Sequence, residues 1–195
     1  MNSKSVIVVS GLPRSGTSMM MKMLEAGGKS ILTDNLREAD ANNPKGYYEF
    51  ERVKQMKDGD VAWLSDAVGK VVKIVTGLIT YLPADFNYKV IFMQRDLSEV
   101  LSSQKKMLGR LGAGDDNIPD DQMAKTYAEH VKQVKGWLMR QANVELLNVN
   151  YNAMISDPIE SLQKVNAFLG GGMDVQKMTS VVDAELYRER KKSNT

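Results

Sequence analysis

Cysteine is absent from this 195-residue chain, and histidine occurs once. The first absence excludes disulfides and thiolate metal sites, and it makes a cytoplasmic setting the expected one, because disulfide frameworks belong to oxidising compartments. The second leaves His130 as the sole imidazole, inside a long helical stretch, where it is expected to pack or to face solvent rather than to act as a base. An excess of one charge is also lacking. Lys and Arg number 26 against 24 Asp and Glu, a net +2 that is too balanced for a protein coating nucleic acid or an anionic membrane. No apolar run approaches the roughly 20 residues of a membrane span, and Met1 to Ser5 leads into a strand without a signal-like apolar core, so neither a transmembrane segment nor a leader is expected. Internal repeats and low-complexity linkers are missing as well. At 43% hydrophobic residues, one domain over residues 1–195 with a sizeable core is expected.

What is present is an alternation of strand and helix patterns. Strands are expected at Val6–Ser10, Gly69–Val75, Lys89–Gln94 and Val144–Val149. Between them, Thr17 to Ala26 reads as a helix with Met19, Met20, Met23 and Leu24 on a core face, ended by Gly27-Gly28. A second helix is expected from about Glu49 to Ser65, with Val53, Met56, Trp63 and Leu64 inward and Gly59 as its weak point. Asp96 caps a third, running to about Leu108. Asp120 or Asp121 opens a fourth, with Met123, Tyr127, Val131, Val134 and Leu138 on one face. Asp157-Pro158 gives an N-cap and a first-turn proline for a stripe of Ile159, Leu162, Val165, Phe168 and Leu169, and a last helix spans Asp174 to Val182. Thirteen methionines read as flexible core filling. Residues 109 to 119, with three glycines, form a lid candidate. This order predicts an α/β fold, a three-layer sandwich around a mainly parallel sheet, and the glycine-bearing segment from Gly11 to Ser18 makes the P-loop nucleotide-binding type the expected one.

The most informative segment is Gly11-Leu-Pro-Arg-Ser-Gly-Thr-Ser18, directly after the first strand. Glycines at 11 and 16 permit close backbone approach, the N–H groups of about Ser15 to Ser18 form an anion nest, and the following helix adds its dipole. A nucleoside-triphosphate loop carries a lysine after its second glycine; here Thr17 follows Gly16, and the cation is Arg14 inside the loop. Phosphate binding is therefore expected, ATP less so. In parallel sheets ligands bind beyond the carboxyl ends of the strands, and Arg14, Lys73, Arg95 and Tyr151 all fall at or near such ends. A triphosphate enzyme wants a magnesium carboxylate at the end of a second strand, whereas Val90-Ile-Phe-Met-Gln-Arg95 reaches an arginine first.

These residues carry a resemblance. The 11–18 segment resembles the 5′-phosphosulfate loop of sulfotransferases that use 3′-phosphoadenosine 5′-phosphosulfate (PAPS). Arg95-Asp-Leu-Ser-Glu-Val-Leu-Ser-Ser103 resembles their 3′-phosphate motif, an arginine at a strand end with a serine eight positions later. Val149-Asn-Tyr151, Ser156-Asp-Pro158 and Phe168-Leu-Gly170 are similar to the later adenine-side segment, while Asn43-Pro-Lys-Gly-Tyr-Tyr-Glu49 and Val181 to Arg188 are similar to a small bacterial branch.

The resemblance implies metal-independent transfer of a sulfuryl group from PAPS, with 3′-phosphoadenosine 5′-phosphate (PAP) as product, to a small or extended hydroxyl or amine acceptor. It implies that Arg14, Ser15, Gly16, Thr17 and Ser18 hold the 5′-phosphosulfate and that Arg95 and Ser103 hold the 3′-phosphate. The fork of an arginine and a helix serine suits that task. The other reading of Arg95 is a surface ion pair with Asp96 or Glu99. Tyr151 either meets the adenine or packs in the core. Arg188 and Arg190, with Lys191 and Lys192, either close over the 3′-phosphate or form a frayed tail. Lys73 resembles the strand-end lysine at the bridging oxygen, or is an ordinary strand-edge lysine. The best-known cytosolic branch has its catalytic histidine at the position of Val75, so the base here is expected to be a carboxylate. Glu49 is the first choice and Glu38 the second, the alternative for Glu49 being a helix-start acid. A P-loop kinase and a non-catalytic bisphosphate-binding module stand as alternative functions. Substrate walls are expected from residues 29–48 and 109–122, with Tyr47, Tyr48 and Met107 as apolar contributors.

Overall fold

The computed structural model describes residues 4–34, 36, 46–110, 112 and 119–182. Four parallel strands form one sheet: β1 (Ser5–Gly11), β2 (Val71–Lys73), β3 (Asn87–Gln94) and β4 (Val144–Asn150), in the order β2-β1-β3-β4. Register places Val9 beside Lys73 and Ile91, Gly11 beside Met93, and Gln94 beside Asn150. The carboxyl ends of all four strands therefore meet along one edge of the sheet. The β2 ladder covers three residues, shorter than the apolar run around it, and Ile31 adds an isolated bridge to Val71.

The helices are α1 (Thr17–Ala26), α2 (Leu97–Arg110), α3 (Asp120–Met139), α4 (Tyr151–Ser156), α5 (Pro158–Phe168) and α6 (Val175–Thr179). Side chains alternate across β1. Ile7 and Val9 pack with Met20, Met21, Met23 and Leu24 of α1, Met154 of α4, Leu162 and Val165 of α5, and Met178 of α6. Val6 and Val8 pack on the other face with Val53, Met56, Trp63, Leu64, Ile79, Val134 and Leu138. The result is the expected three layers around a buried parallel sheet. Each fully buried Leu, Ile, Val or Met contributes about 1.5–3 kcal/mol, so these two clusters dominate the stability of the fold.

The helix expected over Glu49–Ser65 is instead two 3₁₀ helices, Glu51–Asp58 and Ala62–Ser65. Gly59 separates them at φ 90, a conformation that halts a right-handed helix at little cost to glycine. The four inward residues are nonetheless buried, because packing on the sheet rather than helical period decides their direction. Asp96 accepts from the Ser98 amide and caps α2 as expected. Asp157 precedes Pro158 but makes no capping hydrogen bond, and Ile159 is exposed rather than part of the α5 stripe. Among the described residues, no helix is long and apolar enough to cross a membrane. Glu38, Arg188, Arg190, Lys191, Lys192 and most of the 109–119 loop lie outside the described residues.

Candidate functional site

The site grows from the Gly11–Gly16 loop. Gly16 occupies the N-cap of α1 at φ 97 with no side-chain cap, so the first-turn amides of α1 have no intrahelical partner and point out of the helix end. The Ser15 hydroxyl is buried and makes no hydrogen bond, an orphan donor of the kind that a polar ligand or water satisfies. Arg14 sits at φ 73, an uncommon conformation for a residue with a side chain. Such strain costs about 1–3 kcal/mol and persists only where its surroundings over-determine it.

Those surroundings come from the second motif. Arg14 Nε donates to Ser103 Oγ of α2 at 2.8 Å, while Arg95 Nη1 donates to the Arg14 carbonyl at 3.1 Å. The Gln104 amide reaches the Pro13 carbonyl at 3.3 Å, and Tyr127 of α3 donates to Gln104 Oε1 at 2.7 Å. Two sequence-distant segments are thus tied together by contacts that cross between them. Arg95 follows β3 directly. It is ion-paired with Glu99 at 2.9 Å, and its guanidinium carbon stacks 4.5 Å from the centre of the Tyr151 ring. The pair is buried, whereas the other reading of Arg95 expects an ion pair with Asp96 or Glu99 on the surface.

Tyr151 begins α4 and belongs to the core cluster on the α1 side of the sheet. Burial holds its phenol above the usual range, with the Arg95 charge only partly opposing the shift. Its ring occupies the space that a side chain at position 16 would need: a Cβ there would stand 2.3 Å from Tyr151 Cδ2. Gly16→Ala is expected to destabilise the protein by about 2–5 kcal/mol, the sum of left-handed backbone strain and overpacking. By thermal denaturation this is a drop of about 4–20 °C for a chain of this size. Tyr151→Ala opens a cavity of its own, so the double variant is expected to be less unstable than the sum of the two single variants by the overpacking part alone, since the positive φ remains.

A second cluster lies at the end of β2. Lys73 Nζ hydrogen-bonds the Tyr47 carbonyl and stands 3.5 Å from Ser18 Oγ and 3.7 Å from Glu49 Oε1. Ser18 Oγ also donates to the Tyr47 carbonyl, at 3.3 Å. The backbone of Glu49 is fixed in turn, its carbonyl accepting from Thr33 Oγ1 at 2.8 Å and from the Asp34 amide at 3.3 Å. Tyr48 adopts φ 52 and donates from its hydroxyl to Glu25 of α1 at 2.7 Å. Glu49 precedes the first 3₁₀ helix, whose first-turn acid is Glu51, so a helix-start role does not account for Glu49. Lys73 is buried and paired, unlike an ordinary strand-edge lysine.

Of the residues expected to form the site, Arg14, Ser15, Gly16, Thr17, Ser18, Glu49, Lys73, Arg95, Ser103 and Tyr151 come together at one edge of the sheet. Asn152, Gln104 and the Tyr47 carbonyl join them without having been expected. A carbonyl is invisible in residue type, and Asn152 and Gln104 act through contacts across the chain. His130 lies mid-helix on α3 and is half-buried. Among the described residues, no three metal-ligating side chains cluster. Chemically, the arrangement offers cations, outward amides and an orphan hydroxyl to an anionic ligand, beside a carboxylate paired with a lysine.

The family model described as "Sulfotransferase domain" matches residues 4–195. A search of curated proteins found no match. Among solved structures, the chain is similar to a mouse sulfotransferase complexed with PAP, at 16% identity over the whole of this chain and 70% of that one, with a TM-score of 0.56. It is similar to a sulfotransferase from Mycobacterium avium at 11% identity, covering 98% of this chain and 69% of that one, with a TM-score of 0.57. A sulfotransferase domain from the curacin biosynthetic pathway aligns at 14% identity, over 92% of this chain and 78% of its own, with a TM-score of 0.54. At these identities the likeness is one of fold.

Proposed function

The chain belongs to the sulfotransferase domain family, and from that premise we propose that it transfers a sulfuryl group from PAPS to a hydroxyl or amine acceptor without a metal. One observation carries the reading: the crossed contacts of Arg14 with Ser103 and of Arg95 with the Arg14 carbonyl. A nucleotide bearing phosphates on both its 3′ and 5′ positions needs two anion sites held in fixed relation, and these contacts supply that relation. When bound, PAPS provides the sulfuryl group and departs as PAP.

The residues divide the work by their chemistry. Arg14, the Ser15 hydroxyl and the amides of Gly16, Thr17 and Ser18 hold the 5′ end, as preorganised donors around developing negative charge. Arg95 and Ser103 hold the 3′-phosphate, with Tyr151 supporting both Gly16 and the Arg95 guanidinium from beneath. Arg188 and Arg190 are further candidates for that phosphate. Lys73 places a compact positive charge beside Ser18, at the 5′ end of the site. Glu49 is the base: its carboxylate takes the proton that the acceptor releases as the acceptor's bond to sulfur forms. Its position next to Lys73 puts that proton transfer beside the cation.

The acceptor is a small or extended molecule rather than a nucleic acid, in keeping with the net charge of +2. The test is incubation with PAPS and a panel of phenols, aliphatic alcohols and amines in the presence of a chelator, with mass spectrometry of the products. Acceptor-dependent release of PAP with a matching sulfated product is expected. Transfer of phosphate from ATP, only with magnesium, would instead select the kinase reading.

A further inference from the structure

Glu99 is an unusual place for a carboxylate. It lies in the first turn of α2, its side chain is 2% exposed, and it is ion-paired with an Arg95 side chain that is 8% exposed. Burying two charges costs several kcal/mol per ion, and a buried pair can often be replaced by apolar residues of similar volume with no loss of stability. Packing alone therefore does not account for this pair. What it does provide is orientation.

The Arg95 guanidinium is fixed on three sides. Glu99 Oε2 takes Nε at 2.9 Å, the Arg14 carbonyl takes Nη1 at 3.1 Å, and the Tyr151 ring covers one face at 4.5 Å. Glu99 is itself held: Asn152 Nδ2 donates to both of its oxygens at 3.1 Å. The α2 N-terminus adds a favourable dipole for the carboxylate. Asn152 and Tyr151 are adjacent at the start of α4, so one short element sets both the face of Arg95 and the carboxylate that aligns its edge. A planar fork gives specificity only when its plane is set.

Resting on the PAPS reading above, we propose that Glu99 is a positioning residue that fixes the plane of Arg95 and so gives the site its preference for a 3′-phosphorylated nucleotide, with Asn152 holding Glu99 in place. A plain electrostatic account makes the opposite forecast. Removing a negative charge close to a phosphate should tighten binding, whereas removing the aligning group should weaken it.

The experiment is calorimetric titration of the full chain with PAP and with adenosine 5′-monophosphate, which lacks the 3′-phosphate, on the wild type, Glu99→Gln and Asn152→Ala. Thermal denaturation accompanies each variant. Glu99→Gln is expected to lower the ratio of PAP affinity to monophosphate affinity by about tenfold or more, equivalent to one lost good contact. Asn152→Ala should shift the ratio the same way by about threefold, since it removes the shared donor that holds both Glu99 oxygens, and it serves as the second variant if Glu99→Gln does not fold. An unchanged ratio, or tighter PAP binding, overturns the proposal. An equal loss for both nucleotides with a lowered melting temperature overturns it too, by showing a structural role. A wild type that binds PAP no better than the monophosphate sinks the PAPS reading itself, and is distinguishable because the failure precedes any substitution.

Discussion

Replacing Glu49 with glutamine is expected to lower turnover from PAPS by about 10²–10⁴-fold, the span for losing a positioned general base. Nucleotide affinity should stay within about threefold of wild type, because the base acts on the acceptor side in the transition state. Glutamine keeps the shape and one acceptor oxygen, and the segment around it stays pinned through backbone contacts to Thr33 and Asp34 that do not use the side chain. Folding is therefore expected to be retained. Single-turnover rates with the best acceptor, set beside PAP titration, check both halves. A loss of PAP affinity equal to the loss of rate would show that Glu49 supports the site through Lys73, 3.7 Å away, rather than acting on the acceptor.

Arg95→Ala is expected to produce two losses at once. PAP affinity should fall by at least about 30-fold and by up to about 5,000-fold, since truncating one partner of a buried, hydrogen-bonded charge contact costs about 2–5 kcal/mol. Stability should fall by about 3–5 kcal/mol as well, because the substitution removes the cation paired with the buried Glu99 carboxylate. The two effects can be separated. In the double variant Arg95→Met with Glu99→Met, both charges are gone and apolar volume remains, so the melting temperature should recover towards wild type while PAP binding does not. A double variant that regained PAP affinity would show that Arg95 serves the fold alone.

Much of this arrangement was legible in the sequence because it is built from local patterns. Val6–Ser10 followed by Gly11 to Ser18 announces strand, loop and helix within a dozen residues, and apolar runs located β2, β3 and β4. Parallel order then placed Lys73, Arg95 and Tyr151 at the same edge as Arg14. What local patterns did not carry were preferences decided across the chain. The Glu51–Ser65 stretch has helical apolar spacing, yet it winds as two 3₁₀ segments because Gly59 interrupts it and the sheet face dictates where Trp63 and Leu64 go. The Arg95–Glu99 spacing of four was visible, but its burial was not, since that depends on Tyr151 and Asn152 arriving from β4. The need for glycine at 16 shows the same limit: the loop pattern suggests it, while the Tyr151 ring behind it enforces it.

On the proposed function, one edge of this sheet binds a nucleotide carrying both 3′ and 5′ phosphates. The most direct test is calorimetric titration of the full chain with PAP in the presence of a chelator and, separately, with ATP and magnesium. Saturable PAP binding without metal, at an affinity well above that for ATP, is the predicted result. Magnesium-dependent ATP binding with none for PAP would contradict the account.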